Sequence, residues 1–283
     1  MTDPTGDLDS KKRRQAAADQ SGVKPPHSKS VPSMKSNLII AIDGPSGAGK
    51  STLGRMLARA LNLLYIDTGS MYRAVALAVM ESSVSATDNI AVGSLAARVD
   101  IDLQGDPDSL KVTLEGRDVS EQIRTEEVTE MSSIISTIPA VRRAMVARQR
   151  ELGKRGAVLN GRDIGTVVFP DADVKFFLTA VPDERAQRRF SEEREQDHSA
   201  SFEATFADMV ERDRRDSTRE DSPLKVAEGG IIVDSTGLSI DQVFARMMAV
   251  IEKQHGGEGM VAGESGVEGD GADDAGDAAR PGS

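Results

Sequence analysis

Leu38-Ile39-Ile40-Ala41-Ile42-Asp43-Gly44-Pro45-Ser46-Gly47-Ala48-Gly49-Lys50-Ser51 begins as a short apolar run, curls through a glycine-rich turn and ends on Lys-Ser. From Gly44 onward it fits G-x-x-x-x-G-K-[ST] at every position. The context gives the motif its meaning. The apolar run predicts a strand buried on both faces, and the amphipathic stretch Lys50 to Leu61 predicts a helix. Glycines let the backbone curl until its N–H groups converge on phosphate oxygens, and the helix that follows turns its positive end to the same anion. The candidate triphosphate loop is therefore Gly44, Pro45, Ser46, Gly47, Ala48, Gly49, Lys50, Ser51 and Thr52. Lys50 would reach the β and γ phosphates, and the Ser51 hydroxyl would join the coordination sphere of Mg²⁺.

Moving outward, strands alternate with helical patterns. Leu64 to Ile66, Ala157 to Leu159, Val174 to Leu178 and Ile231 to Val233 read as buried strands. Ser70 to Met80, Pro139 to Leu152, Pro182 to Arg194, Phe202 to Arg215 and Ile240 to Gln254 read as helices. This rhythm predicts an α/β fold, a P-loop NTPase core with a parallel sheet covered by helices on both sides. Val99 to Val119 breaks it: two short alternating runs flank the turn-rich Gly105-Asp106-Pro107-Asp108 and predict a small antiparallel insert.

The ends of the chain read differently. Residues 1–36 carry Lys11-Lys12-Arg13-Arg14 followed by Ser, Pro and Lys, and residues 255–283 are an acidic Gly/Ala/Asp/Glu tract. Both hold few apolar residues and no hydrophobic period, so both are expected to be disordered, with the folded domain spanning 37–254. Met34, just before the first strand, offers a second start codon. There is no cysteine among the 283 residues, which excludes disulfides and thiolate metal sites. No apolar run approaches the ~20 residues of a membrane span, and the polar N-terminus lacks a secretory signal, so the expected location is the cytoplasm, away from any membrane. A net charge of −11 argues against a nucleic-acid partner.

A P-loop does not identify a reaction. The chain contains no N-K-x-D stretch of the kind that reads guanine and no L-S-G-G-Q signature of a transporter ATPase. The strand at 157–159 runs into Asn160, where a hydrolase would carry the acid that fixes a metal-bound water. A small-molecule kinase is the reading these absences favour over a GTP-dependent switch or a nucleic-acid-associated ATPase. Arginines then mark a second site. Arg73 and Arg162 follow strands, Arg185, Arg188 and Arg189 lie within about one helical turn, and Arg212, Arg215 and Arg219 are spaced to share a helix face. Two phosphate-bearing substrates need several bidentate cations, and the guanidinium is shaped for that.

With Ile42 to Lys50, the stretches Asp67-Thr68-Gly69-Ser70-Met71-Tyr72-Arg73, Gly161-Arg162-Asp163-Ile164-Gly165-Thr166-Val167-Val168-Phe169-Pro170 and Glu211-Arg212-Asp213-Arg214-Arg215-Asp216 closely resemble bacterial cytidylate kinases, P-loop nucleoside-monophosphate kinases. The likeness spans about 37–254 and leaves out both ends. It implies transfer of the γ-phosphoryl group of ATP to CMP or dCMP with Mg²⁺, with another monophosphate, UMP or AMP, as the alternative acceptor. It also implies a nucleotide-binding insert at about 93–138 and a lid at about 182–200. The expected state is a monomer. Matched position by position, Arg73, Arg162 and Arg219 would hold the CMP phosphate, with Thr68 and Tyr72 shaping its pocket. Ser133, Arg142 and Asp163 would read cytosine, and Arg212 and Asp216 would contact the ribose. Arg185, Arg188 and Arg189 would ride on the lid, and Lys50, Arg162, Arg188 and Asp163 would form the catalytic set. Many family members have an acidic residue where this chain has Asn160, which leaves the metal's outer support short of one charge.

Overall fold

The computed structural model describes residues 37–196 and 200–256. Residues 1–36 with their basic stretch, residues 197–199 of the expected lid and the acidic tail from 257 lie outside the described residues.

The opening apolar run forms β1 (Ile39–Asp43), and the glycine-rich loop gives way to α1 (Lys50–Leu61), the span the periodicity predicts. α1 stops where Asn62 takes a left-handed turn at φ 53°, a conformation Asn tolerates better than most residues. β2 (Leu64–Asp67) leads straight into α2 (Thr68–Glu81), whose N-cap carboxylate, Asp67, accepts from the Gly69 N–H. Next come α3 (Asn89–Arg98), which begins before the expected insert, then β3 (Ile101–Gln104), β4 (Lys111–Leu114), β5 (Arg117–Asp118), a 3-10 turn at Gln122–Arg124 and α4 (Glu126–Ile135). α5 (Pro139–Gly153) and β6 (Ala157–Gly161) follow, then a single π-helical turn at Ile164–Val168 and β7 (Val174–Thr179). The chain closes with α6 (Pro182–Gln196), α7 (Phe202–Thr218), β8 (Ile231–Asp234) and α8 (Ile240–His255). α8 thus runs one residue into the expected tail.

Five strands make one parallel sheet in the order β2-β6-β1-β7-β8, with β1 at its centre. Side chains alternate across it as the pleat requires. Ile40 and Ile42 face one way and join Val158, Phe176 and Leu178 beneath α1 and α8. Ala41 faces the other way and joins Leu159 and Ile66 beneath α2 and α5. The expected antiparallel patch is a three-stranded sheet, β3-β4-β5. Its inward residues Ile101, Leu103, Val112 and Leu114 belong to the same cluster as α2, so the insert extends one face of the core and makes no separate one.

Parallel strands end together, and register decides which residues meet there. Asp43 of β1 pairs with Gly161 of β6, and Asp67 of β2 pairs with Asn160. Because β1 has β6 on one side and β7 on the other, its carboxyl end opens at the crevice where α/β sheets take ligands. Among the described residues no helix is long and apolar enough to cross a membrane.

Candidate active site

Two glycines explain how close the phosphate loop lies to its surroundings. Gly44 has φ 149°, and a Cβ there would sit 2.0 Å from the Leu178 carbonyl oxygen. Gly47 has φ 69°, and a Cβ would sit 2.4 Å from the Arg185 carbonyl oxygen, so the base of α6 rests directly on the loop. Gly49 caps α1 without any side-chain bond, and the first turn has no acidic residue, which leaves the positive end of the helix facing the loop. Lys50 is buried, and its Nζ donates to the Pro45 carbonyl at 2.6 Å. Burial, then repulsion from Arg162 and Arg212, pushes its pKa well below 10.5 against the pull of Asp216 and Asp213.

Behind the loop, Asn160 Nδ2 donates to Ser51 Oγ at 3.2 Å and lies 3.5 Å from Asp67 Oδ1. Asn160 Oδ1 is buried with no hydrogen-bond partner among the described residues. Burial alone would raise the Asp67 acid, but Arg73 and hydrogen bonds from Ser70 and Gly69 outweigh it and hold the group ionised. A hydroxyl, an orphaned amide oxygen and a carboxylate form a hard-oxygen set that fits Mg²⁺. Among the described residues no three acidic or His side chains cluster into a protein-only cage, so such an ion would be held chiefly by phosphate and water.

A second group of contacts hangs from Asp43. This buried carboxylate accepts from the N–H groups of Ile164 and Gly165, both at 2.8 Å, and so staples the π turn to the end of β1. Burial raises its pKa to about 6 against those two bonds, with Asp163 pushing it up further and Lys50 pulling it down. The staple places Arg162 and Asp163. Arg162 Nε donates to Asp216 Oδ2 at 2.7 Å, and Arg219 Nη1 lies 3.4 Å from Asp216 Oδ1. Burial alone would raise the Asp216 acid, but Arg162, Arg212 and Arg219 hold it below the usual range. Asp163 accepts from Arg142, both buried, while Arg142 lies 5.8 Å from the Tyr72 ring centroid. Arg73 Nη2 donates to Ser70 Oγ at 2.8 Å, and Thr68 Oγ1 donates to the Asn160 carbonyl at 2.8 Å. Ser133 Oγ accepts from Arg215 at 3.0 Å, which ties α7 to α4.

Arg212 differs from its neighbours. Among the described residues it has no hydrogen-bond or ion-pair partner, and burial, then Arg162, Arg73 and Arg189, lowers its pKa to about 10 despite Asp216. Buried guanidinium donors on Arg73 (Nε), Arg142 (Nε) and Arg219 (Nη2) also lack partners among the described residues. Donors in excess, on cations that repel one another, describe a site waiting for anions.

The three arginines expected on a lid separate. Arg185 is buried under the loop, donating to the carbonyls of Ala180 (3.0 Å) and Ser46 (2.9 Å) and to Asp213. Arg188 is tied to Ser235 and Glu184, and Arg189 to Glu192 and Glu193 on its own helix. Arg219 does not share the α7 face with Arg212 and Arg215: the helix ends at Thr218, and Arg219 is its extended C-cap. Sequence reasoning passed over Asp43, Asp67 and Asp213, all within the motifs quoted above.

A family model described as cytidylate kinase matches residues 40–253. The chain belongs to the cytidylate kinase family. Relatives named cytidylate kinase include one from Geobacter sp. (strain M21), 45% identical over 221 residues, covering 78% of this chain and 95% of that protein. One from Solibacter usitatus (strain Ellin6076) is 49% identical over 220 residues, covering 77% and 93%. One from Aeromonas salmonicida (strain A449) is 46% identical over 219 residues, covering 77% and 95%. The family match takes in the phosphate loop, the insert and the arginine-bearing motifs, and leaves out both ends of the chain.

Proposed function

We propose that this protein transfers the γ-phosphoryl group of ATP to CMP or dCMP, as a monomer in the cytoplasm. The observation that carries the reading is the buried Arg142–Asp163 pair beside Arg219, in a cluster of cations that extends through Arg162 and Arg212 to the loop lysine, Lys50. Lys50 and the loop amides, with Ser51 and Thr52 opening α1, bind the ATP phosphates. Arg73, Arg162 and Arg219 take the CMP phosphate, Thr68 and Tyr72 line its pocket, and Arg212 and Asp216 meet the ribose. Arg142 and Ser133 share the reading of cytosine with Asp163. Arg188 and Arg189 belong to the lid, with Arg185 at its base.

The acceptor phosphate is already an anionic nucleophile, so no side chain has to remove a proton. Positioning and charge neutralisation must supply the rate. Ser51, Asn160 and Asp67 would hold Mg²⁺, which when bound offsets charge on the ATP phosphates. Lys50, Arg162 and Arg212 stabilise charge moving onto the transferring group and the leaving oxygen. Closure of the lid over the site excludes water and suppresses idle ATP hydrolysis. A coupled ADP-release assay across CMP, dCMP, UMP and AMP tests the reading. CMP and dCMP should each exceed UMP and AMP by about 10²-fold in kcat/KM; equal use of UMP or AMP would reject it.

A further inference from the structure

Ser46 sits in the middle of the phosphate loop, and its backbone N–H belongs to the donors a polyphosphate would use. In this structure that N–H is taken. It donates to Asp213 Oδ1 at 3.0 Å, a partner 167 residues away on α7. Asp213 Oδ2 accepts from Arg185 Nη1 at 2.5 Å, and the same nitrogen donates to the Ser46 carbonyl at 2.9 Å. A carboxylate and a guanidinium thus bracket both backbone groups of one loop residue. Lys50 is turned back as well, onto the Pro45 carbonyl. Asp213 also lies close enough to help Lys50 keep its proton against Arg162 and Arg212. Protein groups therefore occupy a loop amide and the loop lysine, and the group on the amide is itself an anion.

We propose that Asp213 is an internal anion seated on the phosphate loop, displaced by the phosphates of ATP, and that it sets ATP affinity and couples ATP arrival to the acceptor side of the site. The inference rests on the ATP-site reading above. One N–H cannot serve two anions, and a fixed carboxylate beside an incoming phosphate repels it. On leaving Ser46, Asp213 keeps Arg185, so its charge is not left unpaired. The coupling is mechanical: α7 carries Asp213 within one turn of Arg212 and Asp216, so freeing the first moves the other two.

A scaffold and a competitor predict opposite signs for the same change. Titration calorimetry of the full chain with MgATP, without acceptor, should be run on the parent and on Asp213→Asn, Asp213→Ser and Asp213→Glu. Both neutral variants should bind MgATP at least about fivefold more tightly, the low end of usual coupling strengths. Asp213→Glu should stay near the parent, and adenosine, which has no phosphate, should bind all four alike. In turnover, KM for ATP should fall in the neutral variants while KM for CMP rises. Equal or weaker MgATP binding by a folded neutral variant would overturn the proposal, as would loss of fold in both, because the carboxylate would then be scaffolding. A parent that binds no MgATP would reject the ATP-site reading itself.

Discussion

Asp43 links stability and activity to pH in opposite directions. Its carboxyl is raised from 3.8 to about 6, mainly by burial. The folded chain therefore holds this proton more tightly than the unfolded chain, and stability from the group is fully present below pH 3.8 and lost as pH rises through about 6. A shift of that size corresponds to about 3 kcal/mol in total, of which about 2 kcal/mol falls between pH 4.5 and 7.5. Activity runs the other way. Both carboxylate oxygens are needed, one for Ile164 N–H and one for Gly165 N–H, and protonation turns one acceptor into a hydroxyl. The turn that carries Arg162 and Asp163 then loosens, and KM for CMP should rise about tenfold as pH falls from 7.5 to 5, on the scale of one hydrogen bond to a charged group. KM for ATP should move less, because the staple holds the acceptor side. Asp43→Asn cannot titrate and can accept only one of the two N–H groups. Its unfolding free energy, from urea melts at several pH values, should lack the parent's ~2 kcal/mol slope, and its KM for CMP should be high throughout the range. An Asp43→Asn variant that kept the parent's pH profile in both measurements would refute this account.

Two further substitutions test the two substrate sides. Lys50→Met should lower kcat by at least ~10²-fold, the scale of one lost electrostatic donor, while its melting temperature equals or exceeds the parent's, because a desolvated ammonium repelled by Arg162 and Arg212 is gone; near-parental turnover, or a large fall in melting temperature, would contradict it. Arg142→Met should lower kcat/KM for CMP far more than for UMP, since Arg142 can only donate, and cytosine offers an N3 acceptor where uracil offers an N3–H. An unchanged CMP/UMP ratio would show that Arg142 does not read the base.

What was legible in the sequence was local. The loop glycines, the strand before them and the helix from Lys50 to Leu61 are set by φ requirements and periodicity within a few residues, and the structure reproduces them. β5, two residues long, left too little pattern to read. The helices α3 and α4 were passed over although Val92, Leu95 and Ala96 in one and Val128 and Ile135 in the other recur at helical spacing, because each run is only ten residues long and interrupts the strand–helix rhythm. The carboxylates were missed for a different reason. Asp43 meets its partners 121 and 122 residues away, and Asp213 meets Ser46 across 167, so only the fold pairs them. Asn160 shows the same limit. From the sequence it is a lost charge; in the sheet its register partner is Asp67, whose ionised carboxylate supplies a negative group next to Ser51.

The balance of charge explains why these groups stay together. Arg162 and Arg212 each push the Lys50 proton off, and Arg73, Arg162 and Arg189 push that of Arg212. Asp216 is the carboxylate that opposes both, and it is itself held ionised by Arg162, Arg212 and Arg219. A protein selected for stability alone would replace such desolvated cations by apolar side chains of similar volume. On the proposed function, the free energy lost by keeping them in the unliganded chain is recovered when phosphates enter. The recovery is largest where negative charge concentrates during transfer, because fixed cations in a shielded site need no reorganisation. Asp43 and Asp213 fit the same logic from the opposite sign. Each is a carboxylate that accepts from backbone N–H, Asp43 from Ile164 and Gly165 at the turn and Asp213 from Ser46 in the loop. On the proposed function, the repulsion among the cations and the two carboxylates are parts of one arrangement: Asp43 sets the geometry, Asp213 holds the loop until phosphates displace it, and the uncompensated charge supplies the driving force for their entry.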